Sequence, residues 1–166
     1  MATTVGSAAE LLMSDAVELS GKIKRREVSC VETMTAYLDH IEAHNPTVNA
    51  IVALRDRDEL LAEARERDRQ LSDGQYLGWM HGFPHAVKDL SAARGLPFTS
   101  GSPIFADRIA EADDLFVARV KAAGAIVIGK TNTPEFGFGS QTYNPVYGTT
   151  VSPYDTSRTA GGSSGG

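Results

Sequence analysis

Cysteine is nearly missing from this sequence. Cys30 stands alone, so no disulfide can close within the chain, which suits a reducing compartment and sets the expectation of a cytoplasmic protein. Because Cys30 lies among helix signals, it is expected as a buried, inert thiol and not as a nucleophile. Long apolar runs are missing as well. The longest, about Ala122 to Ile128, falls far short of the roughly 20 residues that cross a bilayer. The opening MATTVGSAAELLMS has neither the basic start nor the apolar centre of an export signal. Positive charge is in deficit, with 16 Lys and Arg against 21 Asp and Glu for a net charge of -5. A phosphate backbone demands a basic face, so nucleic acid is not expected as a direct partner.

What the sequence does hold is an ordinary globular balance. Hydrophobic residues make up 42% and charged residues 22% of its 166 positions, enough for a buried core in one domain. Ser29-Cys30-Val31-Glu32 is a capping box, and Val31, Met34, Leu38 and Ile41 follow at helical spacing until Asn45-Pro46, where the helix is expected to end. An earlier amphipathic segment runs from about Ser14 to Lys24. A third helix, Asp58 to Leu71, is heavily charged with Leu60, Leu61, Ala64 and Leu71 facing inward. Residues 1–75 therefore read as a helical layer. After Asp73-Gly74 the pattern changes: glycine, proline and short β-prone runs alternate with one more helix, Asp114 to Ala123, which leads through Gly124 into a strand, Ala125 to Ile128. Helix, glycine and buried strand in that order belong to α/β architecture, so residues 76–166 read as the first part of an α/β core.

Several local patterns carry chemistry or mimic it. Gly124 to Thr131 matches the phosphate-loop pattern GxxxxGKT letter by letter. The physics refuses that reading: a phosphate loop follows a strand and opens a helix, whereas here a helix precedes and the middle residues, Ala125 to Ile128, form a stiff apolar strand with no reason to curl around an anion. His81 and His85 stand four apart, as do His40 and His44. Gly82-Phe83-Pro84 prevents a helix between the first pair, and the second lacks a third ligand nearby, so surface histidines are expected rather than a metal site. Lys88 is different. It ends the strand-like run Phe83 to Val87 and precedes a loop rich in glycine and small hydroxyl residues, Ser91 to Ser102. A buried lysine costs free energy unless something uses it; a salt bridge to Asp89 or another acid is the plain alternative. The terminal Gly161 to Gly166, GGSSGG, reads on composition alone as a flexible linker.

Taken in order, these pieces carry a resemblance. Gly82-Phe83-Pro84 through Lys88-Asp89, then Gly101-Ser102, Val120 through Phe136, Tyr143-Asn144-Pro145, Tyr147-Gly148 and Arg158 through Gly166 resemble the amidase signature family over about Leu77 to Gly166. Two departures are small: His85 stands where an aliphatic residue is usual, and Ser152-Pro153-Tyr154 replaces Asn-Pro-Trp. The resemblance implies an α/β fold with a mixed central β-sheet flanked by helices, truncated here. It also implies carboxamide hydrolysis through a serine acyl-enzyme, with aryl amides, esters or carbamates as further substrates. By match of residues, Lys88 is the lysine of the family's triad and Ser163 its bridging serine, with the Gly162–Ser163 peptide bond cis. The attacking serine would lie downstream of Gly166, so the 166 residues alone are expected to be inactive.

The same resemblance aligns Gly137, Phe138 and Gly139 with the loop that lines the acyl-binding side, where Phe138 either forms an apolar wall or packs inside. It gives Ser164 and Asp89 supporting roles. Lysine serves as both base and acid only when neutral, which means bringing a reference pKa of about 10.4 near neutrality at about 4 kcal/mol against the charged form; burial works in that direction. No metal or organic cofactor is implied. The implied partners are a small amide substrate, the remaining C-terminal part of the same enzyme and, as one arrangement, a second copy of the chain. A competing reading is the glutamine-hydrolysing component of a tRNA-dependent amidotransferase.

Overall fold

A computed structural model describes residues 8–166. Its elements in chain order are α1 (Ala8–Met13), α2 (Ala16–Lys24), α3 (Cys30–Val48), β1 (Ile51–Leu54), α4 (Arg57–Ser72), β2 (Pro84–Lys88), α5 (Leu115–Ala122), β3 (Ile126–Thr131), β4 (Tyr143–Asn144), β5 (Gly148–Thr149), β6 (Val151–Ser152) and β7 (Asp155–Thr159). They fall into two compact units. The first holds the described residues up to His40 with Arg55–His85 and Arg119–Val127; the second holds Ile41–Leu54, Ala86–Ala118 and Ile128–Gly166. The expected division at residue 75 is thus not where the chain divides. A strand, β1, interrupts the stretch read as purely helical, because the run Ile51 to Leu54 is too short to announce a strand by alternation.

In the first unit the capping box forms as its sequence dictates. The Ser29 amide donates to Glu32 Oε2 at 2.8 Å, and the Glu32 amide donates to Ser29 Oγ at 3.0 Å. Asp68 of α4 adds a second cap, accepting from the amides of Cys30 at 2.7 Å and Val31 at 3.1 Å. Its carboxylate sits where the helix leaves amides unpaired and where negative charge is favoured. Leu19, Ile23, Met34, Leu38, Leu60 and Ala64 are buried around this start, and Cys30 is 0% exposed. His81 departs from the expected surface position. It is 1% exposed, accepts from the Leu77 amide at Nδ1 (3.2 Å) and pairs through Nε2 with the Arg67 carbonyl at 2.9 Å. Both ring nitrogens are satisfied, which is the condition for burying an imidazole.

In the second unit, α3 runs past Pro46 to Val48, correcting the expected stop. Proline in the last turn costs one backbone hydrogen bond without blocking the turns before it. The stop comes from Asn45, whose Oδ1 accepts from the amides of Ala50 and Ile51 at 2.8 Å each while its Nδ2 donates to the Ile51 carbonyl at 2.8 Å. That turn delivers the chain into β1.

The main sheet has the order β1-β3-β2. β1 is antiparallel to β3, with Ile51 opposite Thr131 and Leu54 opposite Gly129. Against β2, the hydrogen bonds from Ile126 N–H to Phe83 O (2.8 Å) and from Asp89 N–H to Thr131 O (3.1 Å) climb both strands in step, which is parallel pairing. The sheet is therefore mixed. All six residues of β3 are buried, the signature of a central strand covered on both faces. Gly129 is needed there, since a Cβ would sit 2.3 Å from the Ala53 carbonyl oxygen. Gly129, Lys130 and Thr131 continue the strand, so the phosphate-loop pattern is a strand, and a longer one than Ala125 to Ile128. Two small antiparallel pairs, β4 with β5 and β6 with β7, complete the second unit. Among the described residues no helix is long and apolar enough to cross a membrane.

Candidate active site

Lys88 is the last residue of β2 and is half-buried. Its Nζ donates to Ser163 Oγ at 2.5 Å. Ser163 lies in the segment after β7, and the Gly162–Ser163 peptide bond is cis, as the resemblance implies. Burial pulls the Lys88 pKa below the ordinary lysine range, and no carboxylate among the described residues opposes that shift. The amine is thereby moved toward its neutral, proton-accepting form while touching a hydroxyl that can both donate and accept.

The glycine-serine segment is held from two sides. Thr142, 0% exposed, donates its hydroxyl to the Gly161 carbonyl and lies 3.4 Å from the Ser163 carbonyl. The chain wraps this threonine so closely that a Cβ on Gly165, whose φ is +71°, would stand 2.6 Å from Thr142 Cγ2. On the other side, Thr131 Oγ1 and Ser164 Oγ share a hydrogen bond at 2.8 Å. Ser164 thus ties the segment to the end of β3, beside the strand that carries Lys88. Composition alone reads these six residues as a linker; in the folded chain they are pinned by buried hydroxyls.

Asp89 does not pair with its neighbour Lys88. It is 0% exposed and accepts from the Thr99 amide at 3.1 and 3.2 Å and from the Thr99 hydroxyl. The Lys130 ammonium stands 3.7 Å from its Oδ1. Lys130 is also 0% exposed and donates to the Ser91 carbonyl at 2.5 Å. Burial pulls the Lys130 pKa down and the Asp89 carboxylate pushes it back up. Alternation along a strand explains the sorting, since consecutive residues point to opposite faces and Lys88 and Asp89 are obliged to find different partners.

Of the loop residues 137 to 139, Phe138 and Gly139 line a cavity of about 390 Å³ with Glu135, Phe136, Gln141 and Tyr143. Gly137 lies against Leu90 instead. Phe138 is 84% exposed, so it is a wall and not a core residue. Glu135 accepts from Ser102 Oγ at 2.7 Å, which fixes its carboxylate at the rim. Among the described residues no group of three or more His, Cys, Asp or Glu is placed to hold a metal ion.

Three positions escape sequence reasoning. Thr142 gives no signal, being one threonine in an irregular stretch. Thr131 and Lys130 lie inside the spurious phosphate-loop match, although a charged residue at the end of an otherwise apolar strand was itself the clue.

The model of the family described as Amidase matches residues 32–166. The chain belongs to the amidase signature family. This amidase chain is 43% identical to the first-lettered component of a glutamyl-tRNA(Gln) amidotransferase from Acidothermus cellulolyticus, over 95% of its own length and 31% of that protein's. It is 44% identical to an indoleacetamide hydrolase from Bradyrhizobium diazoefficiens, over 91% of its length and 29% of the relative's. In structure it is similar to the native peptide amidase from Stenotrophomonas maltophilia, with a TM-score of 0.83, 30% identity, and coverage of 92% of this chain and 32% of that one. The chain spans about a third of the length of these relatives.

Proposed function

We propose that this chain supplies the lysine and the bridging serine of an amide-hydrolysing site, Lys88 as proton carrier and Ser163 as relay. The attacking serine belongs, on this reading, to the part of the family's length that these residues do not span, so the 166 residues alone turn over no amide. Neutral Lys88 accepts the proton of Ser163 Oγ as Ser163 takes the proton of the attacking hydroxyl. The freed oxygen adds to the amide carbonyl, and the proton returns through Ser163 to the nitrogen as the C–N bond breaks. Water then repeats the sequence on the acyl-serine ester. Phe138 and Gly139 offer an apolar wall and open backbone to the acyl part of the substrate.

The observation that carries this reading is the 2.5 Å contact between Lys88 Nζ and Ser163 Oγ. A structural lysine pairs with a carboxylate or reaches water, whereas this one is partly dried and given a hydroxyl. The test is amide turnover by the full-length protein and its Lys88→Ala and Ser163→Ala variants. Losses of about 10²- to 10⁴-fold are expected with the fold intact; full activity in either variant overturns the assignment. Near-equal identity to the amidotransferase component and to the hydrolase, 43% and 44%, favours a second reading, a glutamine-hydrolysing component working with partner proteins. Turnover of simple aryl amides by the isolated protein supports the first reading, and glutaminase activity dependent on copurifying partners supports the second.

A further inference from the structure

The pair formed by Lys130 and Asp89 has no part in the proton relay, yet it buries two charges at the ends of the strands that build the relay. Replacing such a pair by apolar residues is often neutral or stabilising, so stability alone is a poor reason for it. Its placement supplies a better one. Asp89 follows Lys88 directly, and its carboxylate is committed to Thr99 by three donor contacts that anchor the loop beyond β2. An ionised carboxylate there, left uncompensated in a dry interior, would act on the amine next in sequence.

We propose that Lys130 is a positioning residue of this site: its ammonium takes up the charge of Asp89 on the opposite face of the strands, and so leaves the Lys88 amine beside Ser163 with no carboxylate to hold its proton. The inference rests on the role given to Lys88 above. The geometry is specific. Lys130 is opposite Ala53 in the β1 pairing and reaches the Ser91 carbonyl and Asp89 together, with the Phe98 ring 5.7 Å from its Nζ. The other charges acting on it are Asp114 and Arg108, of opposite sign. Tyr147 feels Asp89 and bonds to Thr99. His85, three residues before Lys88 on β2, has its pKa lowered by burial, favouring the neutral ring.

A bare carboxylate favours the charged form of a nearby amine. At a separation on the order of 10 Å and an effective dielectric of about 20, the proton affinity of Lys88 rises about tenfold. The test titrates Lys88 directly in the full-length protein, by its reactivity toward trace acetic anhydride across pH, read by mass spectrometry, alongside the pH profile of kcat/KM. Lys130→Met moves both titrations upward, by about tenfold in proton concentration, and lowers activity at neutral pH. Lys130→Met/Asp89→Asn returns both to the parent position, and Lys130→Arg stays near it.

A folded Lys130→Met whose Lys88 titrates as in the parent overturns the proposal, and so does a double variant left as displaced as the single. Where Lys130→Met fails to fold, the charge-free double variant decides: parent-like titration supports compensation, a displaced one refutes it. A pair that merely ties the strands together would change stability and leave the Lys88 titration where it was. Failure of the underlying reading looks different again, because Lys88 would then titrate as an ordinary lysine in the parent protein itself.

Discussion

Lys88 and Ser163 are 75 residues apart in sequence and meet at 2.5 Å. The meeting is organised by strand order, which sets β2 beside β3, and by two threonines. Thr131 ends β3 and holds Ser164, while Thr142 holds the carbonyls on either side of the cis bond.

Because Lys88 must lose its proton to act, Lys88→Arg is expected to be no better than Lys88→Ala. Guanidinium stays charged at every accessible pH. Both variants should lose about 10²- to 10⁴-fold in amide turnover, with circular dichroism unchanged; recovery by arginine would show that charge, not proton transfer, is what the site needs.

The pH dependence has a definite sign. Lys88 has its pKa lowered by burial, so between the folded and unfolded values the unfolded chain binds more protons. Stability then rises with pH across that window, and its deficit is full below the folded value. Activity rises through the same folded value as the amine becomes neutral. Lys88→Met should flatten the alkaline rise in stability and raise stability at neutral pH, measured by denaturant unfolding at several pH values.

Thr142→Val keeps the shape and removes the hydroxyl. The buried Gly161 carbonyl loses its donor, at an expected cost of about 1–3 kcal/mol in unfolding free energy. Turnover should fall as well, because the segment carrying Ser163 loses its post. Thr142→Ser, which keeps the hydroxyl, should recover most of the turnover.

Asp68→Ala removes the acceptor for the Cys30 and Val31 amides at the start of α3. A cap of this kind contributes about 1 kcal/mol. The variant should lose about that much stability while Lys88 titrates as before.

The parts of the fold that were legible are those whose information is local. The capping box at Ser29 and Glu32 is four residues long and forms as read. The helices over α2, α4 and α5 follow from apolar spacing, and the strand character of Ala125 to Ile128 was enough to reject a nucleotide loop that the letters spelled out. Pro46 misled because a proline rule was applied without asking how many turns were left to break. His81 misled because its partners, a carbonyl in α4 and the Leu77 amide, are fixed only by folding. The same holds at the site. Lys88 and Ser163 were found through an ordered set of motifs, whereas Thr142, Thr131 and Lys130 act by contacts that no spacing encodes.

The lone thiol offers a last consequence. Cys30 has no exposure, and burial holds its pKa well above the ordinary thiol range, so an alkylating reagent reaches it only when the start of α3 opens. The molecule therefore carries its own stopwatch: the labelling rate of one native atom counts excursions from the folded state, with no engineered probe to disturb them.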